Sequence, residues 1–123
     1  MEDTIVIWFE IPVNDLERAR EFYEAVFPVK LVPQGKKTTK RYLFPMKPDS
    51  FGASGTIVKG DKYIPSPNGT LVYFCVEDID ATLTKVLAHG GKVLEPKTSI
   101  NEYGFTGKFQ DCEGNNIGIH SMT

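Results

Sequence analysis

The sequence predicts an α+β fold in which the same strand–helix–three-strand unit (βαβββ) is used twice. Val13–Leu16 follows the apolar run Ile5–Phe9 and precedes a helical pattern, and Val76–Ile79 repeats this arrangement 63 residues later, after the apolar residues 71–75. Val29–Pro33 is echoed in the same way by residues 92–96. A repeat at a fixed offset indicates two packed copies of one supersecondary unit, with any site expected between them.

The first unit begins with a predicted strand over Thr4–Val13, which is rich in β-branched and aromatic residues. Alternation places Ile5, Ile7, Phe9, Ile11 and Val13 on a face under a helix, and Trp8 and Glu10 on the opposite, mixed face. Asn14 or Asp15 can cap the helix that follows, with Glu17 completing a capping box. Apolar residues at helical spacing predict that helix over Asp15–Phe27, ended by Pro28. Strands are expected near residues 29–32, 40–46 and 55–58, with Gly35 in a turn.

The second unit follows a stretch rich in Gly, Pro and Asn at residues 60–69. Its first predicted strand is Thr70–Val76, with Leu71, Tyr73 and Cys75 opposite the apolar face. The next helix is capped by Glu77 or Asp78, has the apolar stripe Ile79, Leu83, Val86 and Leu87, and ends at His89 and Gly90. Strands are expected near residues 92–95, 105–110 and 116–121. The chain therefore reads as one domain, 1–123, made of modules at about 1–60 and 69–123.

Composition limits the function classes. The 123 residues carry a formal net charge of −2, and the short basic run Lys36–Arg41 is interpreted as a solvated loop, so no nucleic-acid partner is expected. Every apolar run is too short to cross a membrane. Cys75 and Cys112 are the only cysteines, too few for a disulfide scaffold, and Cys75 is interpreted as a small buried hydrophobe. A cytoplasmic protein is expected.

The segment Phe9–Ala19, with Phe22, Tyr23 and Phe27, resembles the opening of vicinal oxygen chelate proteins, the glyoxalase, bleomycin-resistance and extradiol-dioxygenase superfamily. Residues 76–80 and 90–93 and the closing Asp111–Asn115 resemble its second half, so the resemblance spans the chain. The branch described as glyoxalase-related is the most similar. The resemblance implies two modules whose curved sheets form a partly open, barrel-like cleft with the helices outside. It also implies a homodimer that completes the cleft.

The resemblance also implies positions for metal ligands, and this sequence departs from them. Metal-using members carry His or Glu seven residues before the helix-starting Asp, where this chain has Trp8 and Leu71, and four residues after the last hairpin Gly, where it has Gly118. Residues 54–56, in the corresponding strand of the first half, offer neither carboxylate nor imidazole. None of these can bind a divalent cation, so no metal or cofactor is predicted. The alternative is a displaced metal site at Glu10, His120 and Cys75.

Six residues are expected on the cleft side: Trp8, Glu10, Leu71, Tyr73, Gly118 and His120. Glu10 is either an exposed strand carboxylate or a polar anchor for a ligand, and His120 is either a structural histidine or its acid–base partner. Trp8 and Tyr73 are either packing residues or the walls of an apolar pocket.

The sequence leaves three functions open. The first is a protein that binds a small organic molecule without metal. The second is a lyase or isomerase that uses Glu10 and His120, or a metal at an unusual site. The third is an accessory protein without a ligand. The scaffold alone cannot choose among them, because one fold hosts unrelated chemistries.

Overall fold

The computed structural model describes residues 4–35 and 40–123. The basic run of residues 36–41 therefore falls mostly outside the described residues. Two α-helices, eight strands and one short 3₁₀ helix follow one another in the order β1 (Trp8–Pro12), α1 (Leu16–Val26), β2 (Val32–Gly35), β3 (Lys40–Leu43), β4 (Ser54–Lys59), β5 (Val72–Cys75), α2 (Ile79–Ala88), β6 (Lys92–Ser99), a 3₁₀ turn (Asn101–Tyr103), β7 (Phe105–Gln110) and β8 (Asn116–Ser121).

The two βαβββ units have the same topology. The first four strands form a sheet in the order β1-β4-β3-β2, and the last four form a sheet in the order β5-β8-β7-β6. In each sheet the first strand pairs parallel with the fourth, and the remaining pairs are antiparallel. The predicted fold class is confirmed. The described strands form two separate four-stranded sheets and no closed barrel.

Both units share one aromatic core. Phe27 of α1 stacks on Phe74 of β5, with ring centroids 4.6 Å apart, and Phe22 of α1 lies 6.0 Å from Phe109 of β7. These rings join the apolar faces of both sheets in a single buried cluster. The first helix therefore packs against the second unit as well as its own, which fixes the relative position of the two sheets.

The first strand is shorter than the sequence predicts. Strand β1 begins at Trp8, whose register partner Ser54 is the first residue of β4. Residues before Trp8 therefore extend past the end of the partner strand and past the helix that covers the sheet. Ile5 and Ile7 are 75% and 78% exposed, so the prediction that they lie under a helix is wrong. From Phe9 to Val13 the predicted apolar face is correct.

The start of α1 differs from the predicted capping box. Asp15 is the N-cap, and its side chain accepts a hydrogen bond from the Arg18 backbone N–H. Glu17 does not reach back to Asn14. Glu17 accepts hydrogen bonds from Arg20 and Tyr42 instead. The Asn14 N–H already donates to the carboxylate of Glu113, in the second unit.

The second helix agrees with its predicted bounds but not with the whole predicted stripe. Asp78 caps it through the Ala81 N–H, and Gly90 follows it with a φ of 96°, the left-handed conformation expected of a helix-ending glycine. Leu87 is 61% exposed, whereas Thr82 is buried in its place. In the first unit, Gly35 ends strand β2 rather than forming a turn.

Candidate functional site

The face of the two sheets opposite the helices, here called the helix-free face, carries the residues expected in the cleft. In β1, Ile11 is buried in the core whereas Glu10 is exposed and Trp8 is 40% exposed. In β5, Phe74 packs against the core whereas Tyr73 is 47% exposed. Cys75 on the same face is exposed, so its interpretation as a buried hydrophobe is wrong.

The two sheets meet along strands β1 and β5, each of which is an edge strand of its own sheet. The rings of Phe9 and Phe74 contact each other edge to face across this seam, with centroids 5.6 Å apart. A concavity of about 130 Å³ opens at the seam. This seam pocket is lined by Glu10, Ile11, Pro12, Ile64, Ser66, Asn68, Thr70, Val72, Asn115, Asn116 and Ile117.

Glu10 is held by two side chains. Arg41 Nε donates to one carboxylate oxygen over 3.0 Å, and the Tyr63 hydroxyl donates to the other over 3.4 Å. Arg41 Nη2 also donates to the Tyr63 oxygen at 3.1 Å. The guanidinium offsets the carboxylate charge and fixes its orientation. Glu10 is therefore held in one orientation among the residues that line the seam pocket.

His120 lies in the other sheet and has a different partner. Its Nε2 is 2.6 Å from the Tyr103 carbonyl oxygen, in the 3₁₀ turn before β7. The hydrogen bonds of the described residues include none between Glu10 and His120. The seam pocket includes Glu10 but not His120. The structure thus places the two proposed acid–base residues on one face without bringing them together.

The remaining expected residues form an aromatic-lined surface. The Tyr73 ring lies directly over Gly118, where an added Cβ would come within 2.5 Å of Tyr73 Cδ1. Gly118 is therefore required for the ring to lie flat across β8. Leu71 immediately precedes β5 and is half-buried, and Trp8 stands at the start of β1. None of these four side chains lines the seam pocket.

The residues at the positions implied for metal ligands do not fit a divalent cation. Thr56 is the register partner of Glu10 in β4 and, like Trp8, Leu71 and Gly118, offers neither imidazole nor carboxylate. The Thr56 hydroxyl is fully buried and has no hydrogen-bond partner, but a neutral hydroxyl alone is a poor ligand. Across the described ranges, no three His, Cys, Asp or Glu side chains are grouped closely enough to hold a metal ion.

The closing turn, Asp111–Asn115, joins the second unit to the first, a role that the sequence did not reveal. Glu113, whose side chain is almost fully buried, accepts hydrogen bonds from the Asn14 and Asp15 N–H groups at 2.6 and 3.1 Å and pairs with Arg18 at 2.8 Å. A carboxylate suits a helix N-terminus because the helix dipole is positive there. The sequence Asp111–Asn115 predicted a hairpin turn, but it did not predict that Glu113 in this turn contacts the first unit.

Beneath this turn, the Tyr23 hydroxyl donates to Asp111 Oδ2 over 2.6 Å in a buried environment. Burial and the adjacent Asp111 carboxylate raise the pKa of Tyr23 well above its usual value. Burial raises the pKa of Asp111, against the lowering effect of the hydrogen bonds that it accepts. Burial also raises the pKa of the neighbouring Cys112 thiol to about 11. Asn115 completes the contact by donating to the Pro12 carbonyl over 2.8 Å.

A fold of two βαβββ units with a helix-free face between them defines the glyoxalase-like class. Residues 5–119 match the glyoxalase/bleomycin resistance protein/dioxygenase superfamily, and the chain belongs to that superfamily. A glyoxylase-like domain-containing protein of Didymella fabae is 33% identical over 114 residues, covering 89% of this chain and 88% of that protein.

Solved structures agree on the fold. A glyoxylase/bleomycin resistance protein/dioxygenase domain from Frankia sp. EAN1pec superposes with a TM-score of 0.74 at 17% identity, covering 99% of this chain and 100% of the other. The fosfomycin resistance protein FosX from Listeria monocytogenes gives a TM-score of 0.69 at 17% identity, covering 100% of this chain and 94% of the other.

Neither α1 nor α2 has the length and apolar character needed to cross a membrane.

Proposed function

We propose that this protein binds a small, polar organic molecule at the seam between its two units, without the divalent metal used by many members of its superfamily. The seam pocket is the observation that carries this proposal. It combines one oriented carboxylate, Glu10, with the amides of Asn68 and Asn116 and two hydroxyls, against apolar walls. Such a mixture of apolar walls and a few oriented polar groups is typical of small-molecule sites.

The chemistry of the lining suggests the class of ligand. Glu10 is the only charged side chain that lines the described part of the pocket, and amides and hydroxyls both donate and accept. Because Arg41 already offsets the Glu10 charge, a ligand with several hydroxyls would match these groups best. The pocket is small, at about 130 Å³, against about 300–1,000 Å³ for typical ligand pockets, so only part of a larger molecule would enter.

A lyase or isomerase reaction that uses Glu10 and His120 is the weaker proposal. The two side chains belong to different sheets and are engaged by Arg41 and by the Tyr103 carbonyl. A ligand would have to bridge them.

We also place the protein in a reducing compartment such as the cytoplasm, because Cys75 and Cys112 are both free thiols.

Binding can be mapped by amide NMR spectra of the ¹⁵N-labelled protein during titration with a panel of small organic amines and polyols. We expect shifts at Thr70 and Asn116, and a loss of affinity of about tenfold or more when Glu10→Gln removes the charged acceptor. Glu21→Gln, on the exposed surface of α1, is the matched control and should bind normally. Ligands that shift only residues away from the seam would contradict the proposal.

The metal-free part of the proposal is tested in parallel by thermal unfolding with added Zn²⁺, Ni²⁺, Mn²⁺ or Fe²⁺. A metal held by the native state raises stability by mass action, so an unchanged melting temperature is expected. A stoichiometric metal found by elemental analysis, or a metal-dependent gain in melting temperature that Glu10→Gln abolishes, would restore the metal hypothesis.

A further inference from the structure

The exposed residue Cys75 and the imidazole-bearing His120 belong to neighbouring strands on the helix-free face. The two residues are register partners in the parallel strands β5 and β8, which places both side chains on one face. Neighbouring strands are about 4.8 Å apart, so the two side chains start from neighbouring positions on this face. A nucleophile and a base therefore occupy adjacent positions.

The backbone contact of His120 determines which ring nitrogen carries the proton. Nε2 lies 2.6 Å from the Tyr103 carbonyl oxygen, and a carbonyl can only accept, so Nε2 donates. In the neutral ring, Nδ1 then keeps its lone pair, and it takes part in none of the hydrogen bonds of the described residues. His120 thus presents the lone pair of Nδ1 as a base.

A cationic side chain, Lys108, lies on the same face, in the set of register partners two residues away from Cys75 and His120. Tyr73, Gly118 and Lys108 are register partners across β5, β8 and β7, and the Tyr73 ring leans over Gly118. Lys108 pairs with Glu95 at 3.2 Å, and this bond, with a smaller contribution from Tyr73, raises the pKa of Lys108. The ammonium therefore stays charged at neutral pH, where it can stabilise negative charge on a ligand oxygen.

We propose that Cys75 and His120 form a thiol-addition site for small α,β-unsaturated carbonyl compounds. The Cys75 proton moves to His120 Nδ1 while sulfur forms a bond to the β-carbon. The C=C electron pair shifts to give an enolate, whose oxygen faces Lys108, and the proton then passes from Nδ1 to the α-carbon. The product is a thioether, and no oxidant or second reactant is consumed. The seam pocket contains neither residue, so this proposal does not depend on the proposed function.

N-ethylmaleimide, a small cyclic compound of this class, is the probe. The parent protein for rate measurements is Cys112→Ser, in which Cys75 is the only thiol. His120→Gln is the decisive variant, because its amide still donates to the Tyr103 carbonyl but offers no base. The charged or titratable side chains on the neighbouring elements are Tyr73 on β5 with Glu77 just after it, Lys108 on β7, Glu95 on β6 and, in the other sheet, Glu10 with Arg41. None of these side-chain types ordinarily changes charge between pH 6 and 8.

Second-order rate constants are measured by intact mass from pH 6 to 9.5, with circular dichroism to verify folding. Because a positioned base contributes about 10²–10⁴-fold, His120→Gln should lower the rate at pH 6.5 by about tenfold or more. The difference should close near pH 9.5, where a thiol ionises unaided. In wild-type protein, peptide mapping should find Cys75 labelled well before Cys112. Equal rates for parent and His120→Gln at every pH, or equal labelling of the two cysteines, would overturn the proposal.

Discussion

Single residues determine how the two units are held together, and the buried Tyr23–Asp111 hydrogen bond is the clearest case. Its 2.6 Å length and its burial mean that the Asp111 carboxylate depends on internal donors rather than on water. Asn115 and the Glu113 N–H donate to the same carboxylate. Removing one donor from such a buried group costs about 1–3 kcal/mol.

Tyr23→Phe tests this bond through the pH dependence of stability. Because the pKa of Tyr23 is raised in the folded protein, the unfolded chain loses this proton at lower pH than the folded protein. The free energy of unfolding of wild type should therefore fall above pH ~10, by about 1.4 kcal/mol per pH unit for this proton. Tyr23→Phe should be less stable at pH 8 but lack this part of the slope. Urea unfolding at pH 8 to 11 measures both, and parallel curves would contradict the assignment.

Sequence reasoning worked unevenly at the residue scale. Alternation correctly placed Trp8, Glu10, Tyr73 and His120 away from the helices, because strand periodicity is a local property. It could not show that Arg41, from a distant strand, pairs with Glu10. Cys75 was misread for a related reason, since residue type favours burial for cysteine while its position in the strand faces it away from the core.

The ends of helices and strands were predicted well where they depend only on residues near them in the sequence. Asp15 and Asp78 cap the two helices and Gly90 follows the second, as capping chemistry requires. Strand limits were predicted less well because they depend on the partner strand. Strand β1 begins only where β4 begins, and β6 extends to Ser99 because β7 pairs with it that far. A single strand's sequence does not contain that information.

The connection between the two units, residues 60–71, is held by side chains rather than by regular structure. Its Ser66 N–H donates to Asn115 Oδ1 over 3.0 Å, and its Tyr63 hydroxyl bonds Glu10 and Arg41. Asn115 also bonds the Pro12 carbonyl through its amide nitrogen. One side chain therefore joins the closing turn, the first strand and the connection, so its removal should loosen the connection locally.

Asn115→Ala should consequently raise the rate of tryptic cleavage after Lys62, which lies in the connection. Cleavage requires local opening, and the loss of the hydrogen bond from Ser66 lowers the free energy of that opening by about 1–3 kcal/mol, or about tenfold in rate. Asn68→Ala changes an exposed amide of the same connection and serves as the control. Time-resolved mass spectrometry identifies the cut. Equal cleavage after Lys62 in both variants would show that Asn115 does not hold this segment.

At the scale of the whole molecule, apolar side chains stay uncovered on the helix-free face and beside the start of β1. Trp8 and Tyr73 are half-exposed on the helix-free face, Ile5, Val6, Ile7 and Met46 are largely exposed near the start of β1, and Phe51 is fully exposed. Clustered exposed apolar residues on this scale are typical of an interaction surface. Strand alternation predicted this face, whereas Ile5 and Ile7, before β1, had been expected under a helix.

We expect a second copy of the chain to cover this surface, in a symmetric dimer that leaves a small-molecule cleft between the copies. Most soluble oligomers have such two-fold symmetry, in which one surface meets itself, and burial of aromatic side chains dominates the energetics of interfaces. Sedimentation velocity at tens of micromolar should give the mass of a dimer, since interfaces of standard size hold in that range. The double variant Trp8→Ser/Tyr73→Ser should shift the protein to the monomer. Leu87→Ser, which removes an exposed leucine from the outer surface of α2, should leave the dimer intact. A monomeric wild-type protein, or a dimer that survives the double variant, would show that the helix-free face is not the interface.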